Sequence, residues 1–173
     1  MWKKLLVIIL LFYLFALLQN SFLAHFGLFG AVPNLVFILF FILAFFSARG
    51  GPAFSWEDFF YAAAAGFFLD VFSYTYLGPS IILLIIIGLV FKKIQSLLKN
   101  KEDKYPFIYF LFLFLISFLV YSLFFSLYLY LLEPGKIPMN FGIKAIFSTI
   151  YNLFIASIFF FIYKKFNEKG LQN

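Results

Sequence analysis

Apolar stretches follow one another along this chain almost without relief, and the longest hydrophilic piece, Lys92 to Tyr105, is 14 residues. That pattern limits the fold more than any motif. A helix needs about 20 apolar residues to cross the hydrocarbon core of a bilayer. Inside it the backbone must satisfy its own hydrogen bonds, so each run reads as a helix. Six runs qualify as candidates: 5–23, 33–48, 59–72, 76–91, 106–132 and 145–163. The second, third and fourth are short, so their ends reach into the loops or the bilayer thins around them. Composition agrees. The chain is 65% hydrophobic and 12% charged, against about half and a quarter in a soluble domain. The expected fold is an all-α integral membrane protein, a single domain over residues 1–173. Its 31 Phe read first as lipid-facing bulk.

The basic residues set the orientation. With the N-terminus in the cytoplasm, the cytoplasmic segments hold Lys3, Lys4, Arg49, Lys92, Lys93, Lys99, Lys101, Lys104, Lys164, Lys165 and Lys169. The outer side holds only Lys136 and Lys144. This bias places six helices with both termini inside. It also accounts for the net charge of +6 without nucleic acid. The Lys92–Lys104 cluster reads as a topology signal and an anionic-lipid contact. Met1-Trp2-Lys3-Lys4 and the run after it resemble a signal peptide. No small-residue cleavage site follows, so the expectation is a retained signal anchor.

The chemistry-bearing residues are few. With no Cys and one His, His25, neither a disulfide framework nor a His-based metal site is expected, and no cofactor motif occurs. No paired carboxylates flank a His and no HExxH pattern occurs, so an enzyme is not expected. Arg49-Gly50-Gly51-Pro52 reads as a cytoplasmic turn and not as a phosphate loop. Trp56-Glu57-Asp58 suits the start of the third helix, where acidic groups meet the positive end of the helix dipole.

The stretch Gly66 to Pro79 stands out. Asp70 is the one carboxylate inside a long apolar run, and a charge at bilayer depth costs about 2.5–3.5 kcal/mol on insertion scales. Ala62, Gly66, Asp70, Ser73 and Leu77 recur at helical spacing. Ala62 and Gly66 form a small-xxx-small pair that lets backbones approach. Asp70 then has two readings of equal weight. It ties α-helices, a partner or a ligand, or it accepts backbone N–H groups from the turn that ends in Gly78. Leu77-Gly78-Pro79-Ser80 opens the fourth helix, with Pro in its first turn, and Pro33-Asn34 opens the second. Gln19, Asn20 and Ser21 interrupt the end of the first helix; they line a small polar pocket at the outer face or, the favoured reading, sit among lipid headgroups. Asn152 is an interhelical hydrogen-bond candidate.

Gly66-x-x-x-Asp70-x-x-Ser73-x-x-x-Leu77-Gly78 resembles the signature hairpin of the rod shape-determining protein MreD family. Gln19, Pro33-Asn34 and Asn152 add to the likeness, which covers nearly the whole chain. Ala62 departs from the family pattern where a second Gly is common, and Tyr76 where a Pro often stands. The resemblance implies a non-enzymatic scaffold of bacterial cell elongation in the cytoplasmic membrane. Its implied partners are an MreC-like single-span protein and the peptidoglycan polymerase and transpeptidase, with membrane lipid around it and a homodimer left open. Docking would fall on the outer helix ends and the Asp70 face. The fold of that family is similar to substrate-binding subunits of energy-coupling-factor vitamin transporters, the competing reading. A vitamin pocket would draw on Gln19, Asn20, Asp70, Ser73, Thr75 and Asn140.

Overall fold

The computed structural model describes residues 2–27, 30–47, 54–73, 76–97, 106–132 and 141–170. The turn at Arg49 to Pro52, Tyr74 and Thr75, the lysines Lys99, Lys101, Lys104 and Lys136, and Asn140 lie outside the described residues. The elements are α1 (Trp2–Leu17), α2 (Leu35–Ser47), α3 (Trp56–Phe72), α4 (Pro79–Leu97), α5 (Pro106–Leu132) and α6 (Phe141–Gly170). A π-helical turn, Leu18–Phe22, and a 3-10 turn, Leu23–Phe26, extend α1.

Four segments are long and apolar enough to cross a membrane: Lys3–Phe26, Pro79–Leu97, Pro106–Leu132 and Gly142–Lys165. The protein is therefore a multi-pass helical membrane protein. The two remaining helices are shorter. The 13 residues of α2 and the 17 of α3 span about 20 and 26 Å at 1.5 Å per residue. Relative to the sequence ranges, α3 begins earlier because Ser55 caps it, α4 runs on to Leu97, and α6 extends at both ends.

The short α2 is the hub. It packs against α1, α3, α5 and α6. From Leu35 to Phe46 every residue except Leu43 is buried, because a helix apolar on all sides is stable only when surrounded. The expectation that Phe mainly faces lipid needs correcting. Phe12, Phe37, Phe40, Phe41, Phe45, Phe110, Phe114 and Phe160 are among the largest fully buried side chains. Phe41 meets Phe114 edge-on at 5.2 Å, and Phe45 meets Phe110 the same way at 5.1 Å. Between membrane helices lipid removes most of the hydrophobic drive, so close van der Waals packing holds the bundle. Edge-to-face rings supply it over large areas.

The antiparallel pair α3–α4 forms the most extensive interface. Its backbones touch at Gly66, where an added Cβ would collide with Ile81 and lie 2.8 Å from the carbonyl carbon of Ser80. Gly is therefore required there for steric reasons. At the other end the Phe54 ring lies over Gly88, so close that a Cβ would sit 2.8 Å from it.

Candidate functional site: a buried polar network

The site is built at the end of the bundle where α2 and α4 begin and α3 ends. Asp70, on the last full turn of α3, is 0% exposed. Its Oδ2 accepts the Gly78 N–H at 2.7 Å and its Oδ1 accepts the Ser80 N–H at 3.0 Å. Pro79 between them has no N–H to offer, so the carboxylate holds both donors that flank it. A negative group at this position also meets the positive end of the α4 dipole. The turn requires Gly78, whose φ is 122°, a region that side chains disfavour. Of the two sequence readings of Asp70, the backbone contacts match the second, and they also join α3 to its neighbour α4.

From Ser80 the network crosses to α5, where the Ser80 hydroxyl lies 3.4 Å from the Tyr121 hydroxyl. A second polar link starts at Asn34. Asn34 is the residue before α2. Its Oδ1 accepts the Phe37 N–H at 2.9 Å, which caps the helix. Its own N–H donates to Asn152 Oδ1 at 2.7 Å, and Asn152, 0% exposed on α6, donates from Nδ2 to the Ser148 carbonyl. Asp70, Ser80 and Tyr121 thus link α3, α4 and α5, and Asn34 with Asn152 links the start of α2 to α6. Buried polar groups cost energy unless paired, and Asp70, Ser80 and Asn152 each find a partner outside their own helix.

The structure brings together most residues that the sequence singled out. Pro33 is buried just before α2, and Ala62 and Gly66 are buried on the α3 face toward its neighbours. Ser73 and Leu77 do not continue that face. Helix α3 stops at Phe72, Ser73 is its exposed C-cap, and Leu77 is 65% exposed in the turn. Ser80 and Tyr121 carry no sequence signal, since each is one of many hydroxyls in apolar helices.

Beside the network lies a cavity of about 200 Å³. Gln19, Asn20, Asn34, Ser73 and Tyr121 form its polar lining, and Phe68 and Leu69 belong to its apolar wall. Gln19 and Asn20 therefore match the polar-pocket reading, whereas Ser21 is exposed and is not among the lining residues. The π-helical turn, closed by the Leu23 N–H on the Leu18 carbonyl, places Gln19 half-buried over the cavity. Side chains take up nearby carbonyls. Asn20 Nδ2 donates to Ala16 O at 2.9 Å, and His25 Nδ1 donates to Ser21 O at 2.8 Å. His25 thus belongs to the helix end. Asp70 is not among the cavity's lining residues.

A second polar site lies at the opposite end of α3. Ser55 and Asp58 form a reciprocal capping box. Asp58 Oδ2 also pairs with Lys92 Nζ at 3.2 Å, with both side chains almost fully buried. Lys92 therefore belongs to α4 and the core, not to the lipid-facing lysine cluster expected from sequence. Gln95 Nε2, one turn on, donates to the Phe45 carbonyl at 3.4 Å. Nearby, exposed Glu57 accepts from Lys4 at 2.9 Å and from Tyr61 at 3.1 Å. Among the described residues no three His, Asp or Glu gather to hold a metal. No family model, curated protein or solved structure matches the chain.

Proposed function

We propose that this protein is a non-enzymatic, MreD-like scaffold of the bacterial cell-elongation machinery. In this reading it spans the cytoplasmic membrane six times, with both termini inside, and pairs with an MreC-like single-span protein. Through it the scaffold supports the polymerase and transpeptidase of lateral peptidoglycan synthesis. The observation that carries the reading is the Asp70 network. The hairpin that suggested the family, Gly66 to Gly78, is the segment whose carboxylate holds the start of α4. Its polar groups fasten helices to one another, which suits a part that presents a fixed surface. The basic-residue bias supports the orientation.

The vitamin-transporter reading has one observation in its favour, the cavity under Gln19. Its volume of about 200 Å³ is below the ~300–1,000 Å³ usual for small-molecule pockets, so the scaffold reading stands first. Purification of the tagged protein from mildly solubilised membranes, with mass spectrometry of what accompanies it, separates the two. A single-span coiled-coil protein together with wall synthases is the expected result. A membrane coupling subunit with paired ATPases would overturn it. Reporter fusions at both termini should report from the cytoplasm, and one outside terminus would break the six-span topology.

A further inference from the structure

Gln19 leaves an acceptor unanswered. Its Oε1 is buried and has no hydrogen-bond partner among the described residues, although the side chain lines a cavity of about 200 Å³. A buried acceptor without a donor is destabilising, and native structures rarely keep one unless something fills the gap. The winding of the backbone adds to this. The π-helical turn at Leu18–Phe22 is an irregularity that helices commonly carry at functional positions.

The lining determines what kind of group fits. Among the described residues it carries amides (Gln19, Asn20, Asn34) and hydroxyls (Ser73, Tyr121), and no carboxylate, ammonium or guanidinium. Neither a cation nor an anion would find a countercharge among them. The facing wall is apolar, with Phe68, Leu69 and Phe125. The space equals that of about seven waters at ~30 Å³ each. It admits a small head and not a pair of acyl chains.

The geometry points to a binding site for a neutral polyol, a glycerol-sized group that donates a hydroxyl to Gln19 Oε1 and rests its carbon side on the phenylalanines. The bilayer in which the helices sit offers such a group as the terminal glycerol of the phosphatidylglycerol headgroup, whose charged phosphate would stay outside the cavity. Free glycerol carries the same chemistry. The site is independent of the scaffold reading, because it rests on the cavity alone.

Native mass spectrometry in detergent tests it, with phosphatidylglycerol and phosphatidylmethanol as competing probes of equal charge. Only the first has free hydroxyls. The wild-type chain should retain phosphatidylglycerol about tenfold better, the discrimination expected when a buried acceptor loses its donor. Gln19→Leu should bring the ratio close to one. Equal retention by the wild type, or an unchanged ratio in the variant, would overturn the proposal. Should the variant fail to fold, the thermal shift of the wild type by each lipid decides: equal shifts reject the site. Free glycerol at millimolar concentration identifies the source. Loss of the lipid preference would mark free polyol as the ligand, and persistence would mark the lipid.

Discussion

Helix α3 carries two buried carboxylates, and they are held differently. Asp58 faces a cation, Lys92, at 3.2 Å, besides accepting the Ser55 N–H in its capping box. Asp70 faces two backbone N–H groups at the start of α4. Asp58 lies twelve residues before Asp70, and Lys92 lies twelve after Ser80. The two anchors are therefore about 18 Å apart at 1.5 Å per residue, one at each end of the same antiparallel pair. An ion pair between side chains is removable as a unit, because both partners can be replaced with apolar groups. A cap on backbone donors is not, because no substitution removes the N–H groups. The charge pair at the Asp58 end is exchangeable, and the Asp70 end is tied to the path of the chain.

The largest expected effect tests that distinction directly. Asp58→Leu alone should destabilise the protein by about 3–5 kcal/mol, since it removes the carboxylate paired with buried Lys92 and breaks the capping box with Ser55. Adding Lys92→Met should recover the charge part of the loss and leave the cost of the cap, about 1 kcal/mol. Unfolding in mixed detergent micelles would measure the cycle, and no recovery in the double variant would dissolve the contrast. Next comes Asp70→Ala, which should cost roughly 2–4 kcal/mol by leaving two buried donors unpaired. No companion change at Ser80 or Tyr121 should restore it. Asp70→Asn should lose less than the alanine variant, since its amide oxygen still accepts one N–H; an equal loss would mean that geometry and not acceptance matters.

Gly78→Ala sharpens the Asp70 side of the comparison. The alanine must take a φ of 122°, at a cost of about 1–3 kcal/mol, or move its N–H off the carboxylate. A melting temperature equal to wild type would show that the turn can relax. The smallest effect belongs to the third acidic residue of α3, exposed Glu57. Its pair with Lys4 has side chains 58% and 44% exposed on the Lys and Glu sides, so Glu57→Gln should change stability by less than about 1 kcal/mol. A larger change would place that pair in the core with Asp58.

How far the site was legible depends on the signal each residue carried. Asp70 stood out as a lone charge in an apolar run, and Gly78-Pro79 as a helix start, so one anchor was visible before any coordinates. Asn34 and Asn152 were visible as amides in apolar context, but their meeting across 118 residues was not. Tyr121 was hidden among 11 tyrosines. Lys92 was misread because it heads a lysine-rich stretch, and only the continuation of α4 to Leu97 brings it into the core. The role of phenylalanine was likewise ambiguous, since the same residue suits lipid and packed interior equally well.

By itself the sequence determined that this chain is helical and membrane-bound, and that Gly66, Asp70 and Gly78 are special positions. Hydrophobic run length, a lone buried charge and the conformational freedom of glycine are local properties, readable without knowing what lies opposite. The tertiary structure alone decided that the shortest helix, α2, would be the central one, that Asp58 would find Lys92, that Tyr121 would meet Ser80, and that Asn34 would meet Asn152. These depend on which helix faces which. In a chain apolar on nearly every side no face announces itself, so the pairing of a few polar groups and the fit of aromatic rings settle the arrangement.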